Sequence, residues 1–402
     1  MAAEPMRSVE DALDAILATA RLTGTERRPV DRCRGRVLAE HRMTAAVDVP
    51  PFANSSMDGF ALRAADTPGS LRLVGEVAAG SASLPDVLPG STVRIMTGAP
   101  LPPGADAVAP LEVVTEGPDG VAVPGVEAGA YVRAAGHDTH AGDVVELPPG
   151  PLGPGAIAVL ASLGLGEAEV RKPPRVAVLS TGDELRAPGE PLLLGQIHDA
   201  NGVALAAAIE EAGGEVSAML RAPDDPARIE ELLRSAAQSA ELLVASGGVS
   251  VGRYDHVRDV IQKLGRLDFW RIRMQPGKPL AFGRVGDVPV IGLPGNPVSA
   301  LVTFELFARP LIRRMLGLMG SGRVILPATA CERMPKDEQR RAYLRVRLSP
   351  GNGGLEARPA GGQASSQLRP LADADALLIV PEGEPAAEPG RTYDALILGS
   401  VA

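Results

Sequence analysis

Hydrophobic spacing changes character along the chain. Residues 8–21 place Val9, Leu13, Ile16, Leu17 and Ala20 at helical intervals, and Ser8 with Asp11 resembles a capping box, so an amphipathic helix is expected. From 44 to 138 the apolar runs shorten and Pro and Gly punctuate them. The runs at 71–77, 93–97, 107–114 and 121–123 predict the strands of a small β domain. Residues 139–170 return to helix-like, turn-rich sequence. The first helix is expected to pack with them, giving a discontinuous N-terminal domain of 1–43 with 139–170 around a β domain of 44–138.

Arg171-Lys172-Pro173-Pro174 reads as a linker. Beyond it, strand-like runs at 175–179, 215–220, 242–245, 269–273 and 288–293 alternate with helical patterns at 202–212, 226–238, 255–264 and 297–317. Such alternation predicts a parallel, doubly wound sheet with right-handed crossovers over 171–318. Asn201, Asp225 and Asn296 stand where helix N-caps are expected. The remainder, 319–402, returns to β runs at 342–348 and 376–380, a second β domain. The expected fold class is therefore multidomain α/β plus β, with no internal repeat. A length of 402 residues accommodates it, since roughly two to four domains are the prior for such a chain.

Composition narrows the function. A net charge of −9 with no basic stripe argues against a nucleic-acid partner. Positive charge is nearly all Arg, because only four lysines occur, Lys172, Lys263, Lys278 and Lys336; Arg suits planar anions. Two distant cysteines, Cys33 and Cys331, exclude a disulfide scaffold and a Cys-cluster zinc site, and fit a reducing cytoplasm. The N-terminus carries charges and no apolar signal core. The uncharged stretch 147–166 contains four prolines and five glycines, so no membrane span is expected there.

In a doubly wound sheet, ligands bind beyond the carboxyl ends of the strands. Three loops fall at that edge: Ser180-Thr181-Gly182-Asp183-Glu184-Leu185, then Ser246-Gly247-Gly248-Val249-Ser250-Val251-Gly252 with Asp255, then Pro294-Gly295-Asn296-Pro297-Val298-Ser299. Small residues let backbone N–H groups approach an anion, and helix N-termini favour it, which predicts a phosphate or oxyanion cradle without a Walker or dinucleotide fingerprint. Asp183, Glu184, Asp199, Asp224 and Asp255 converge on the same edge. Carboxylates beside a phosphate suit Mg²⁺ or an N–H-rich heterocycle. The first β domain adds Met57-Asp58-Gly59-Phe60, Thr97-Gly98-Ala99-Pro100, and Arg133, Gly136 and Asp138. Lys278 lies between prolines in Gln275-Pro276-Gly277-Lys278-Pro279 and reads as an anion contact.

Together MDGF, TGAP, R-x-x-G-x-D, STGDEL, SGGVSVG-x-x-D, QPGKP and LPGNPVS, in this order, resemble the MoeA-type molybdopterin molybdenumtransferases, from the first helix to Gly361-Gly362-Gln363-Ala364-Ser365-Ser366. The resemblance implies a doubly wound domain of molybdopterin-binding type, a homodimer, and insertion of molybdate into adenylylated molybdopterin with release of AMP. It implies that Glu184 and Asp255 are acidic active-site residues holding Mg²⁺, and that Asp58 and Asp138 act with them. Thr97, Asp224, Gly247, Gly248, Ser250, Pro294, Gly295, Asn296 and Pro297 would bind substrate. Lys278, Ser299, Arg345 and Ser366 would lie near molybdate. It also implies dealings with a molybdopterin adenylyltransferase and apo-molybdoenzymes.

Simpler roles stand beside these. Asp224 and Asp255 could cap helices, Asp58 fix a turn, Gly247-Gly248 form only a tight turn, and Lys278 be a solvated charge. Arg133 could pair structurally with Asp138, and the five histidines show no metal-ligand spacing. Two rival functions follow: molybdopterin adenylylation by the α/β domain, or a non-catalytic dimeric scaffold.

Overall fold

A computed structural model describes residues 6–249, 256–320, 322–351 and 353–399. Ser250 and Asp255 lie outside the described residues. The chain divides into two compact units, Arg27–Val170, and Met1–Glu26 with Arg171–Ala402.

The Arg27–Val170 unit carries a six-stranded sheet in the order Ala107–Pro110, Gly59–Leu62, Ser91–Ile95, Gly69–Val77, Gly120–Val123, Thr115–Gly117. Alternation along Gly59–Leu62 sends Phe60 and Leu62 into one buried cluster and Ala61 into the other. The strand expected over 107–114 stops at Pro110 and continues as a 3₁₀ turn, Leu111–Val113. A further core joins Val30, Cys33 and Leu38 to Leu147, Leu152, Leu160 and Val170.

In the other unit the first helix, Val9–Leu17, is capped by Ser8, whose Oγ accepts the Asp11 N–H at 3.0 Å. Its buried residues Val9, Ala12 and Ile16 share a cluster with Val178, Phe282 and Leu311. This corrects the expectation that the helix packs with 139–170. Its apolar stripe packs against the helical segments Phe304–Ala308 and Arg309–Met315. Arg7 exchanges backbone hydrogen bonds with Arg271 and Arg273, and Arg341 ion-pairs with Glu10.

The α/β sheet has six strands: β1 (Arg175–Thr181), β2 (Glu215–Ala222), β3 (Leu242–Ser246), β4 (Gly265–Arg271), β5 (Pro279–Val285) and β6 (Val288–Leu293), ordered β2-β1-β3-β6-β5-β4. Val176 and Val178 of β1 face one core with the helix Ala200–Glu211. Ala177 and Leu179 face another with the helices Pro226–Ala236 and His256–Leu264. Helices thus cover both faces. The sheet is mixed rather than wholly parallel, because β5 runs antiparallel to both β6 and β4. The helix expected over 297–317 is three pieces, Pro297–Thr303, a π-helical turn Phe304–Ala308, and Arg309–Met315. Pro310 has no N–H for its preceding turn, and the π turn takes up the misfit.

The last domain closes on itself. Arg341–Gly351, Gly354–Pro359, Ile325–Ala330, Thr392–Ile397 and Ala376–Val380 pair in sequence around a ring, and Ala376–Val380 pairs back onto Arg341–Gly351. The result is a five-stranded barrel around Leu344, Val346, Leu378 and Ala395. No helix among the described residues is long and apolar enough to cross a membrane.

Candidate functional site

The chain passes from β1 to β2 on one side, then crosses to β3 on the other side of β1. That reversal opens a crevice at the carboxyl ends of β1 and β3, where ligands bind in open α/β sheets. A cavity of about 500 Å³ lies there, lined by the ends of β1, β3 and β6 and by the loops that follow.

Backbone geometry explains the glycines. Gly247 and Gly248 have φ of +94° and +67°, and a Cβ on Gly247 would stand 2.8 Å from the carbonyl oxygen of Thr181. Any other residue would be strained there and would fill the crevice. Asn201, expected as a cap, instead ties the floor together: its Nδ2 donates to Ser246 Oγ and to the Gly295 carbonyl, each at 2.8 Å. The cap is Asp199, whose carboxylate accepts the Gly202 N–H at 2.8 Å and the Ser180 hydroxyl at 3.1 Å. Asp199 is thereby committed to structure although it lines the cavity.

Glu184 and Asp224 line the cavity with Pro294, Gly295, Asn296 and Pro297. Glu184 folds back over Gly182, where a Cβ would approach its carboxylate to 2.4 Å. Asp224 is not the cap of its helix; Asp225 is, accepting the Ala227 N–H at 3.0 Å. Burial, followed by repulsion from Asp183 and Glu184, pushes the Asp224 carboxyl above the usual carboxylate range. Asp183 accepts the Asp224 N–H at 3.1 Å. Among the described residues no three His, Cys, Asp or Glu side chains gather closely enough to hold a metal.

The last domain reaches this edge where Asn296 Nδ2 donates to Ser365 Oγ at 3.1 Å. Ser365 stands in the last-domain motif without an assigned role, and nothing local marks it out from Ser366, which is exposed and does not line the cavity. Arg345 does not line it either. Its guanidinium is 1% exposed and donates to the carbonyls of Gly362 at 2.8 Å, Ala364 at 3.1 Å and Gln367 at 3.3 Å. Arg345 therefore shapes the 361–367 loop. Arg340 pairs with Asp337. Ser299 is buried in the first turn of its helix, away from the cavity lining. Lys278 is exposed, and its neighbour Pro279 lines the cavity.

Two further motifs meet within the Arg27–Val170 unit. Asp58 accepts both the backbone N–H of Thr97 at 2.7 Å and its hydroxyl at 2.8 Å, which hold its carboxyl below the usual range. Gly98 N–H donates to the Ser55 carbonyl and Ser55 N–H to that of Ala99, so the MDGF and TGAP segments clamp each other. Asp138 and Arg133 are exposed, and no ion pair joins them among the described residues.

A doubly wound domain with its cavity at the topological switch point defines a ligand-binding α/β protein. Family models agree along the chain: MoeA N-terminal region (domain I and II) over residues 7–164, probable molybdopterin binding domain over 177–314, and MoeA C-terminal region (domain IV) over 327–398. Molybdopterin molybdenumtransferase 2 of Mycobacterium tuberculosis is 37% identical, covering 94% of this chain and 96% of the relative. Molybdopterin molybdenumtransferase of Haemophilus influenzae is 40% identical over 73% of this chain and 74% of its own. The crystal structure of the molybdopterin biosynthesis MoeA protein from Pyrococcus horikoshii superimposes with a TM-score of 0.82 at 32% identity, covering 98% and 99% of the two chains. The chain belongs to the MoeA family of molybdopterin molybdenumtransferases.

Proposed function

We propose that this chain inserts molybdate into adenylylated molybdopterin, releasing AMP and forming the molybdenum cofactor. The observation that carries the reading is the switch-point cavity with Glu184 and Asp224 on its wall, in a chain that matches the family from end to end. A pterin presents a 2-amino group and a ring N–H, which a carboxylate accepts in bidentate fashion. Asp224, half-buried beside two other carboxylates, suits that task.

A Mg²⁺ ion would need no closed protein cage here. Crowding of Asp183, Glu184 and Asp224 is relieved by a cation, and Mg²⁺ takes one or two carboxylates together with substrate phosphates. Glu184 would hold it, and Asp255, outside the described residues, is the second ligand the family resemblance implies. Bound there, the ion supplies charge neutralisation during phosphoanhydride cleavage. Asp58 with Thr97, and Asp138, form a second functional region in the other unit. A cytoplasmic homodimer that receives substrate from an adenylyltransferase and passes product to apo-molybdoenzymes completes the reading.

The test is reactivation of an apo-molybdoenzyme by the purified chain, adenylylated molybdopterin, Mg²⁺ and molybdate. Reactivation that needs all four components supports the reading. AMP transfer from ATP to molybdopterin instead would place the chain one step earlier, and a folded protein with neither activity would make it a scaffold.

A further inference from the structure

Three hydroxyls stand at the switch point, on Ser180, Thr181 and Ser246. Two are committed. Ser180 donates to Asp199, and Ser246 accepts from Asn201 and donates to the Pro294 carbonyl at 3.4 Å. Thr181 is different. It is 7% exposed, it lines the cavity, and its Oγ1 has no hydrogen-bond partner among the described residues. A buried hydroxyl without a partner costs free energy, so its persistence asks for a ligand.

The surroundings say where that ligand comes and of what kind. A Cβ on Gly247 would stand 2.8 Å from Thr181 Oγ1, and one on Gly248 3.2 Å. The two missing side chains thus bring the bare backbone of the turn up against the enclosed hydroxyl. The other polar side chains on the wall are carboxylates, which only accept, or groups already bonded. Asn201 and Asn296 donate to Ser246, Gly295 and Ser365, and the His198 ring bonds the Glu190 carbonyl. Among the described residues on this wall, Thr181 is the buried side-chain donor still without an acceptor.

We infer that Thr181 is a positioning residue whose hydroxyl donates to a phosphate oxygen of the bound nucleotide-type substrate at the Gly247-Gly248 turn. The inference rests on the proposed reading for the identity of that substrate, but phosphate binding can be measured apart from it. Val is nearly isosteric with Thr and lacks the hydroxyl; Ser keeps it.

The experiment measures binding of pyrophosphate and of AMP by calorimetry, with thermal melting, for wild type, Thr181→Val and Thr181→Ser. Thr181→Val should bind both probes about tenfold more weakly, as loss of one hydrogen bond to a charged group implies. Thr181→Ser should stay within about threefold of wild type, since the donor is kept. The melting temperature of Thr181→Val should hold or rise, because an unpartnered buried hydroxyl has been removed; a merely structural hydroxyl would make it fall. Wild-type affinity for both probes in Thr181→Val overturns the inference and leaves the molybdate-inserting reading standing, as does weakened binding accompanied by a lowered melting temperature. Loss in Val and retention in Ser, in a protein that never releases AMP from adenylylated molybdopterin, supports the phosphate contact and overturns the reading instead. A wild type that binds neither probe overturns the phosphate contact.

Discussion

Asp225 accepts the Ala227 N–H and starts a helix, whereas Asp224, one residue earlier, keeps its carboxylate for the cavity. Sequence alone left capping and ligand binding open for Asp224, because both neighbours precede Pro226. Only backbone geometry separates them. Asp224→Asn should leave the melting temperature unchanged or raise it, since it removes repulsion with Asp183 and Glu184. The same change should weaken substrate binding, measured as a raised KM for adenylylated molybdopterin. Asn201 shows the opposite lesson. Asn before Gly reads as a cap, yet the cap is two residues earlier at Asp199, which frees Asn201 to join β3 to the Pro294-Gly295 loop.

At the scale of elements, the strands and helices around the cavity were legible because each carries its own period and its own cap. The antiparallel strand beside the edge was not. β5 follows Gln275-Pro276-Gly277-Lys278 directly, and an apolar run has the same pattern whether its neighbour is parallel or antiparallel, so the reversal at β5 had no local signal. The tie between barrel and cavity was equally hidden, since Asn296 and Ser365 are 69 residues apart. Arg345 governs that tie through the 361–367 loop. Arg345→Met should leave three loop carbonyls without their donor and destabilise the protein by about 2 kcal/mol in urea unfolding. Removing only the tie, in Asn296→Ala and Ser365→Ala, should show a double-mutant coupling of about 0.5–1 kcal/mol. An additive pair would mean that the contact holds nothing.

For the molecule as a whole, the arrangement of an α/β domain with β domains was legible from changes in period. The place of the first helix was not, because an amphipathic stripe does not name its partner. That helix and the barrel meet near Arg341, which pairs with Glu10 and Glu382, beside buried Tyr343. Burial raises the Tyr343 pKa from 10.0 to about 12. A group with a raised folded pKa contributes stability below its unfolded pKa and loses it as pH climbs to the folded one. Stability should therefore decline from pH 10.0 to about 12, and Tyr343→Phe should flatten that decline in melts recorded across the range.

The most direct measurement is AMP release from adenylylated molybdopterin in the presence of Mg²⁺, with and without molybdate, for wild type and Glu184→Gln. Glu184 is exposed on the cavity wall, so the variant should fold as wild type does. Wild type should release AMP in a molybdate-dependent manner, and Glu184→Gln should be slower by about a hundredfold or more, as removal of an acid–base or ion-holding carboxylate implies. Equal release by the folded variant, or release indifferent to molybdate, would contradict an insertion reaction run from this acidic cavity.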